Sequence, residues 1–364
     1  MDLHSMPDSS LNAVKLCKKL REHMDEPLSD DYSIWGYRLF LDREPESEQT
    51  IKKRTGVFKS SKLLRQHFLS SEEFVANNPE WDLFFYLGLS PKMNVSTELD
   101  SEQQKEFIQH VQKTWEALGE SDPHWSVLSQ DSYRSDKIGD SQKDFKKSAE
   151  IDMMILDSTL ERNDIDIKSF KSCREFGCGV GRVTRLLADR FDEVEGIDIS
   201  RNHLEIARKS IADDGLTHVD FRHVNDPAEL AELPQTDFIF SVMVLQHNPP
   251  PIMAILLENL LNSLAPNGVA LIQIPTYKRT YSFEVDTYIE SPPFEEDELE
   301  MHYLPQSKVF EIIDESDCRP IEVIEDNYIG RRGNELSNTF LIRKKDNSPK
   351  GLGIRLKSLF GLRT

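Results

Sequence analysis

The sequence predicts an α/β protein, a mostly parallel sheet covered by helices, with a small all-helical domain ahead of it. Three observations carry this. From residue 172 onward, short apolar runs alternate with helical patterns, as expected of a parallel sheet with helical crossovers. A glycine-rich segment, 175–182, stands between the first run and an amphipathic stretch. Residues 31–88 show helical spacing without strand-like alternation. The 364 residues suffice for about two or three domains at roughly 150 residues each.

Residues 1–30 form a polar segment with one amphipathic stretch at 11–23. In 31–88, Trp35, Tyr37, Leu39, Phe40 and Leu41 make an apolar cluster, closed by Asp42-Arg43-Glu44-Pro45, where proline punctuates helices. Leu63, Leu64, Phe68, Phe74 and Val75 follow, with Ser71 placed to cap a helix entering at Phe74. Residues 89–142 are expected to be a linker with a helix at 102–118. A helix is expected at 143–161, the start of the main domain, 143–345. Its strands are expected at 172–176, 194–199, 218–224, 237–244, 268–274, 319–325 and 337–343. Its helices are expected at 181–191, 201–213, 250–265 and 305–316.

The formal net charge is -20, a field that repels polyanions, so nucleic acid is excluded as the expected partner. The four cysteines, Cys17, Cys173, Cys178 and Cys318, show neither CxxC pairing nor zinc-type spacing. Reduced thiols, no metal and a cytoplasmic protein are therefore expected. The first ten residues lack the apolar core of a signal peptide, and the longest apolar runs, 238–245 and 269–274, are too short to span a bilayer as helices.

The segment Glu175-Phe176-Gly177-Cys178-Gly179-Val180-Gly181-Arg182 carries the chemistry. Glycines permit positive φ and let backbone approach a ligand closely, and a helix start offers free N–H groups. About twenty residues on, a second strand ends in Gly196-Ile197-Asp198-Ile199-Ser200, and an acid there suits ribose hydroxyls. The glycine spacing is GxGxG, not the GxGxxG of dinucleotide sites. Glu175 beside it disfavours a pyrophosphate and favours a ligand with ammonium and sulfonium charges, which points to S-adenosyl-L-methionine.

Residues 172–277 resemble a class I methyltransferase, which implies a Rossmann-like seven-stranded methyltransferase sheet. Glu175–Gly181 is similar to that family's first motif and Gly196–Ser200 to its acidic second-strand motif. Residues 237–247, ending Leu245-Gln246-His247, resemble the fourth-strand motif of a bacterial subgroup, and Leu264-Ala265-Pro266-Asn267-Gly268 the turn before strand five. Asn267 replaces a glycine there, and asparagine tolerates the left-handed region. The resemblance implies that Glu175, Gly177, Cys178, Gly179 and Gly181 line the methionine and ribose side. It implies that Asp198 holds the ribose, that Ile199 lies on the adenine, and that Ser241, Val242 and Met243 stand beside the methyl donor. Where many members have an Asp for the adenine amino group this chain has Asn225 and then Asp226, either of which can accept that bond.

Gly36–Pro45, with Ser70–Phe74 downstream, resembles a DUF4214-type helical domain, similar to phycobilisome linker domains. That implies a docking module for a protein partner, of a kind often attached to bacterial glycan-modifying enzymes.

His247 follows the end of the fourth strand, where open α/β sheets place ligands. It is a candidate base for a hydroxyl acceptor, or else a wall residue before Pro249-Pro250-Pro251, with His302 and Tyr303 as further candidates. The long insert 276–303 mixes Tyr277, Tyr281, Phe283, Tyr288 and Phe294 with Glu284, Asp286, Glu290, Glu295 and Glu296, as a sugar-binding lid does; a merely solvated surface is the alternative. Residues 346–364 read as a basic amphipathic tail able to lie on an anionic inner-membrane face, or as a solubilising tail. The expected function is O-methylation of a surface glycan, a glycan precursor or another small acceptor. A cofactor-binding scaffold without catalysis and an NAD-dependent oxidoreductase are the alternatives.

Overall fold

The computed structural model describes residues 28–58, 60–78, 92–279, 281–290, 299–326, 328–329 and 335–346. The expected amphipathic stretch at 11–23, nearly all of the tail, and Phe294, Glu295 and Glu296 lie outside them. Contacts divide the chain into two units, Met1–Ser90 and Pro91–Thr364.

The first unit is built from α1 (Asp30–Leu41), α2 (Glu48–Val57), α3 (Ser61–Leu69) and α4 (Glu72–Asn77). Serines start the last three: Ser47, Ser60 and Ser71 each accept a hydrogen bond from the N–H three residues on, for Ser71 that of Phe74, as expected. Tyr37, Leu41, Leu64, Phe68 and Phe74 form the core. Tyr37 meets Phe68 edge to face at 5.0 Å. The apolar cluster of the sequence divides between faces. Tyr37 and Leu41 point inward, whereas Trp35 and Leu39 are 54% and 57% exposed. Arg43 forks onto Glu73, tying the end of α1 to α4.

The second unit holds all seven expected strands: β1 (Ser172–Phe176), β2 (Glu193–Asp198), β3 (Val219–His223), β4 (Thr236–Ser241), β5 (Leu264–Lys278), β6 (Cys318–Asp326) and β7 (Glu335–Lys344). Their order is β3-β2-β1-β4-β5-β7-β6, parallel except for β7, which runs antiparallel to both neighbours. The order reverses at β1 and β4, so a crevice opens beyond their carboxyl ends, where such sheets bind ligands. The helices are α5 (Ser101–Ser121), α6 (Pro123–Val127), α7 (Ile138–Arg162), α8 (Thr184–Leu187), α9 (Arg201–Asp213), α10 (Pro227–Ala231), α11 (Pro250–Asn262), α12 (Val285–Ile289) and α13 (Gln306–Glu315). One apolar cluster, with Ile239, Ile272, Leu257 and Leu260, lies on one side of the sheet. A second joins α7 (Met153, Leu156) to Val183, Leu187, Phe238 and Leu271.

Two expectations need correction. The helix expected at 181–191 shrinks to α8, because Gly179 and Gly181 hold φ of 52° and 77° and keep the chain in turns until Thr184. Residues 92–142 are not a spacer but part of the sheet unit. A capping box at Asp100 and Gln103 starts α5, which buries Phe107, Ile108, Val111 and Leu118. Gly119 permits its close approach to α9, since a Cβ there would lie 2.4 Å from Ser200 Oγ. Asn267, as expected, takes the left-handed region, with φ of 67°.

Candidate active site

The crevice beyond β1 and β4 is a cleft of about 1150 Å³, open mouth included. The glycine loop forms its floor. Gly177, at φ 74°, sits so close to Val244 that a Cβ would lie 2.3 Å from that side chain. Its N–H and that of Cys178 both donate to the Ile197 carbonyl, fastening the loop to β2. The Gly179 N–H donates to Asp198 Oδ2 at 2.8 Å and the Ser200 N–H to Oδ1 at 2.9 Å. These bonds orient a carboxylate that is 9% exposed and retains acceptor capacity for hydroxyl groups.

Glu175 is buried under the loop and accepts from the Thr184 hydroxyl. Burial pushes its carboxyl up to about 8, with the Thr184 bond and Arg182 opposing and Asp152 and Asp198 reinforcing the rise. Asp152 and Arg182 pair at 2.7 Å, with both side chains 6% exposed. Among the described residues the cleft is thus lined by the carboxyl groups of Asp152, Glu175, Asp198 and Asp226 against one guanidinium, Arg182, so the acids outnumber it even with Glu175 protonated. A balance of that sign repels a pyrophosphate and suits a cationic nucleoside.

Ile199, Asn225 and Asp226 line the cleft, as do Cys178, Val242 and Met243. Asp226 caps α10 through the Ala228 N–H, leaving Asn225 with no backbone cap to serve. Met243 takes φ of 59° and donates its N–H to Gln273 Oε1 at 2.8 Å. Gln273 in turn donates to Gln246 Oε1 and to Ser337. The glutamine of Leu245-Gln246-His247 therefore fixes the turn after β4 rather than facing the cleft.

Three sequence-predicted residues stand elsewhere. Gly181 packs against Ala207 and Phe221, away from the cleft. Ser241 is 1% exposed and spends its hydroxyl on the Phe176 carbonyl. His247 is a wall residue, outside the cleft lining. Its Nδ1 lies 2.8 Å from the Glu300 carbonyl, its Nε2 is 3.3 Å from the Gln246 amide, and Trp115 meets it edge-on at 5.4 Å. A carbonyl only accepts, so Nδ1 carries the proton. Burial lowers the His247 pKa to about 4, which makes it a weak base.

Sequence reasoning missed Trp115, Ser126, Val127, Asp152, His203 and Asn248, all of which line the cleft. Arg182 was inside the quoted motif without a role. The others come from the segment read as linker, from the long helix before the sheet, or from helix and turn positions without a motif.

Among the described residues no group of three or more His, Cys, Asp or Glu side chains is arranged to hold a metal ion. The residues present do fit S-adenosyl-L-methionine: a strand-end acid for ribose, an anionic interior for its cationic centres, and a glycine floor that a Cβ would fill.

Sheet order, glycine floor and strand-end acid define a Rossmann-like domain with a cleft suited to a nucleoside. Residues 174–268 match the family described as "Methyltransferase domain". Among similar curated proteins, the ubiquinone biosynthesis O-methyltransferase of Stutzerimonas stutzeri is 34% identical over 82 residues, covering 22% of this chain and 35% of that protein. The demethylmenaquinone methyltransferase of Halalkalibacterium halodurans is 35% identical over 99 residues, covering 25% and 38%. The chain thus spans about a third of the length of the curated relatives it matches. Among solved structures, magnesium protoporphyrin IX methyltransferase from Synechocystis PCC 6803 with bound S-adenosylhomocysteine covers 65% of this chain and 99% of its own, at 16% identity and a TM-score of 0.45.

Proposed function

We propose that the chain is an S-adenosyl-L-methionine-dependent methyltransferase acting on a hydroxyl oxygen of a small-molecule acceptor. The observation that carries this is the Asp198 carboxylate, aimed by the Gly179 and Ser200 amides into a cleft whose other charges are mainly negative. When bound, the cofactor supplies an electrophilic methyl group; the protein supplies alignment and exclusion of water. Asp198 holds the ribose, Ile199 and Asn225 face the adenine, and Gly177 to Gly179 carry the methionine end, with Glu175 and Asp152 balancing its positive charge. Met243, Val244 and Asn248 wall the side from which an acceptor arrives.

The oxygen as acceptor atom is supported by relatives named as O-methyltransferases of quinone biosynthesis. A glycan acceptor and a docking role for the helical unit rest on the resemblance of 36–74 and on the aromatic and acidic mixture of 276–303. Calorimetric titration with S-adenosylhomocysteine and, separately, with NAD tests the reading. Micromolar binding of the first and none of the second is expected; the reverse overturns it in favour of an oxidoreductase. Methyl-labelled cofactor offered with lipid and polysaccharide fractions of the source cells then separates a quinol-type from a glycan acceptor. Cofactor binding with no label in any fraction would favour a scaffold.

A further inference from the structure

A second cavity, outside the donor cleft, is lined by Tyr281, Phe283, Tyr288, Leu299, Glu300 and His302. Glu300 is its centre. Its Oε1 lies 2.6 Å from His110 Nε2 on α5. Its Oε2 lies 2.8 Å from His302 Nε2 and accepts from the Tyr288 hydroxyl at 2.7 Å. Burial works to raise the Glu300 pKa, but the bonds from His110, His302 and Tyr288 outweigh it and hold the carboxyl at about 2. An ionised carboxylate only accepts, so His302 Nε2 carries a hydrogen, and in the neutral form of the ring Nδ1 presents a lone pair. That lone pair faces the Tyr281 hydroxyl at 2.8 Å. In that form Tyr281 donates to it, and the phenolic oxygen, which also takes a backbone hydrogen bond from Tyr303, keeps one lone pair for a further donor.

The cavity adjoins the turn that walls the donor cleft. The His302 N–H donates to the Gln246 carbonyl at 2.8 Å, and Met243, Val244 and Asn248 of that turn line the cleft. The rings of Tyr281, Phe283 and Tyr288 offer flat apolar faces beside the hydroxyl.

We propose that this cavity is the acceptor subsite, that it takes a hydroxyl-bearing ring, and that Tyr281 and His302, backed by Glu300, accept the hydroxyl proton. The inference rests on the methyltransferase reading given above. As the acceptor O–H bond breaks, its proton passes to the Tyr281 oxygen and the Tyr281 proton passes to His302 Nδ1. The oxygen's electron pair forms the bond to the methyl carbon, and the carbon–sulfur pair stays on sulfur. The imidazolium is held by Glu300 and then releases its proton to water. Tyr281 and His302 are catalytic residues in this scheme, and Glu300 is a positioning residue.

Two measurements on the full chain test it. Nitrogen-15 NMR of the histidine rings reads the tautomer without any acceptor: His302 should carry its proton on Nε2, and its Nδ1 signal should move in Tyr281→Phe. A proton on Nδ1 overturns the relay. Methyl transfer from labelled cofactor is then measured with 3,4-dihydroxybenzoate and with the lipid and polysaccharide fractions. Tyr281→Phe and His302→Gln should lower it by about 10²–10⁴-fold, the usual range for a lost proton acceptor, with affinity for S-adenosylhomocysteine unchanged. Glu300→Gln should lower kcat while leaving KM for the cofactor in place. Transfer within threefold of wild type in both Tyr281→Phe and His302→Gln overturns the proposal while sparing the methyltransferase reading. Wild-type protein that binds S-adenosylhomocysteine yet labels nothing overturns both.

Discussion

Replacing Asp198 by asparagine alters one atom and should affect both fold and cofactor. In the native chain each carboxylate oxygen receives a backbone N–H, from Gly179 and from Ser200. An asparagine presents one oxygen and one NH₂, so one of these amides faces a donor and loses its acceptor. A buried group left unpaired costs about 1–3 kcal/mol. At ~2–4 °C per kcal/mol, the range for large domains, the melting temperature should fall by roughly 2–12 °C. The ribose loses at least one hydrogen bond to a charged acceptor, about 1.5–3 kcal/mol. At 1.36 kcal/mol per tenfold, affinity should weaken by roughly 10- to 150-fold. Calorimetry with S-adenosylhomocysteine, run well below the variant's melting point, measures this. Affinity within threefold of wild type, in protein shown to be folded, would refute the assignment of Asp198 to the ribose.

Three further outcomes are expected. Glu175, lifted to about 8 by burial, is mostly protonated at pH 7 in the free protein; a ligand bearing cationic centres favours its ionised form, so binding should release a proton. Titrations in buffers of different ionisation enthalpy should show that release in wild type and lose it in Glu175→Gln. Gly119→Ala puts a Cβ 2.4 Å from Ser200 Oγ; overpacking of about 1–3 kcal/mol should appear in the denaturation midpoint, with weaker cofactor binding as α5 is displaced. The pH dependence of stability should have opposing parts. Glu175, raised in the folded state, lowers stability as pH climbs from about 4.5 to about 8. His247, depressed to about 4, and Glu300, depressed to about 2, contribute stability at neutral pH that is lost as pH falls, between about 6.5 and 4 and between about 4.5 and 2. In a Glu175→Gln background the denaturation midpoint should therefore fall steadily below pH 6.5; a flat profile to pH 4 would contradict the burial of His247.

Much of the sheet unit is legible in the sequence because its central strands are buried on both faces. Runs such as Phe238-Ile239-Phe240 and Ala270-Leu271-Ile272 then lose their alternation and stand out as continuous apolar blocks. The helix over 201–213 is equally clear, with Ser200 capping it and Leu204, Ala207 and Ile211 on one face. The loop motif misleads only about the helix after it: positive-φ glycines read as a helix start when they in fact delay one until Thr184. Asp152, Trp115 and His203 escape notice for another reason. They meet the cleft from three separate helices, and contacts so distant along the chain leave no local pattern. His247 shows the converse case. Its place in the chain is compatible with a base or a wall residue, and the Glu300 carbonyl and Trp115 seat it in a wall.

A crystal structure with S-adenosylhomocysteine tests the central claim most directly. Both ribose hydroxyls should lie at Asp198, the adenine between Ile199 and Asn225, and the sulfur should turn toward Met243 and Asn248. A ligand that lies across Arg182 with its ribose clear of Asp198, or density only in the cavity beside Glu300, would contradict it.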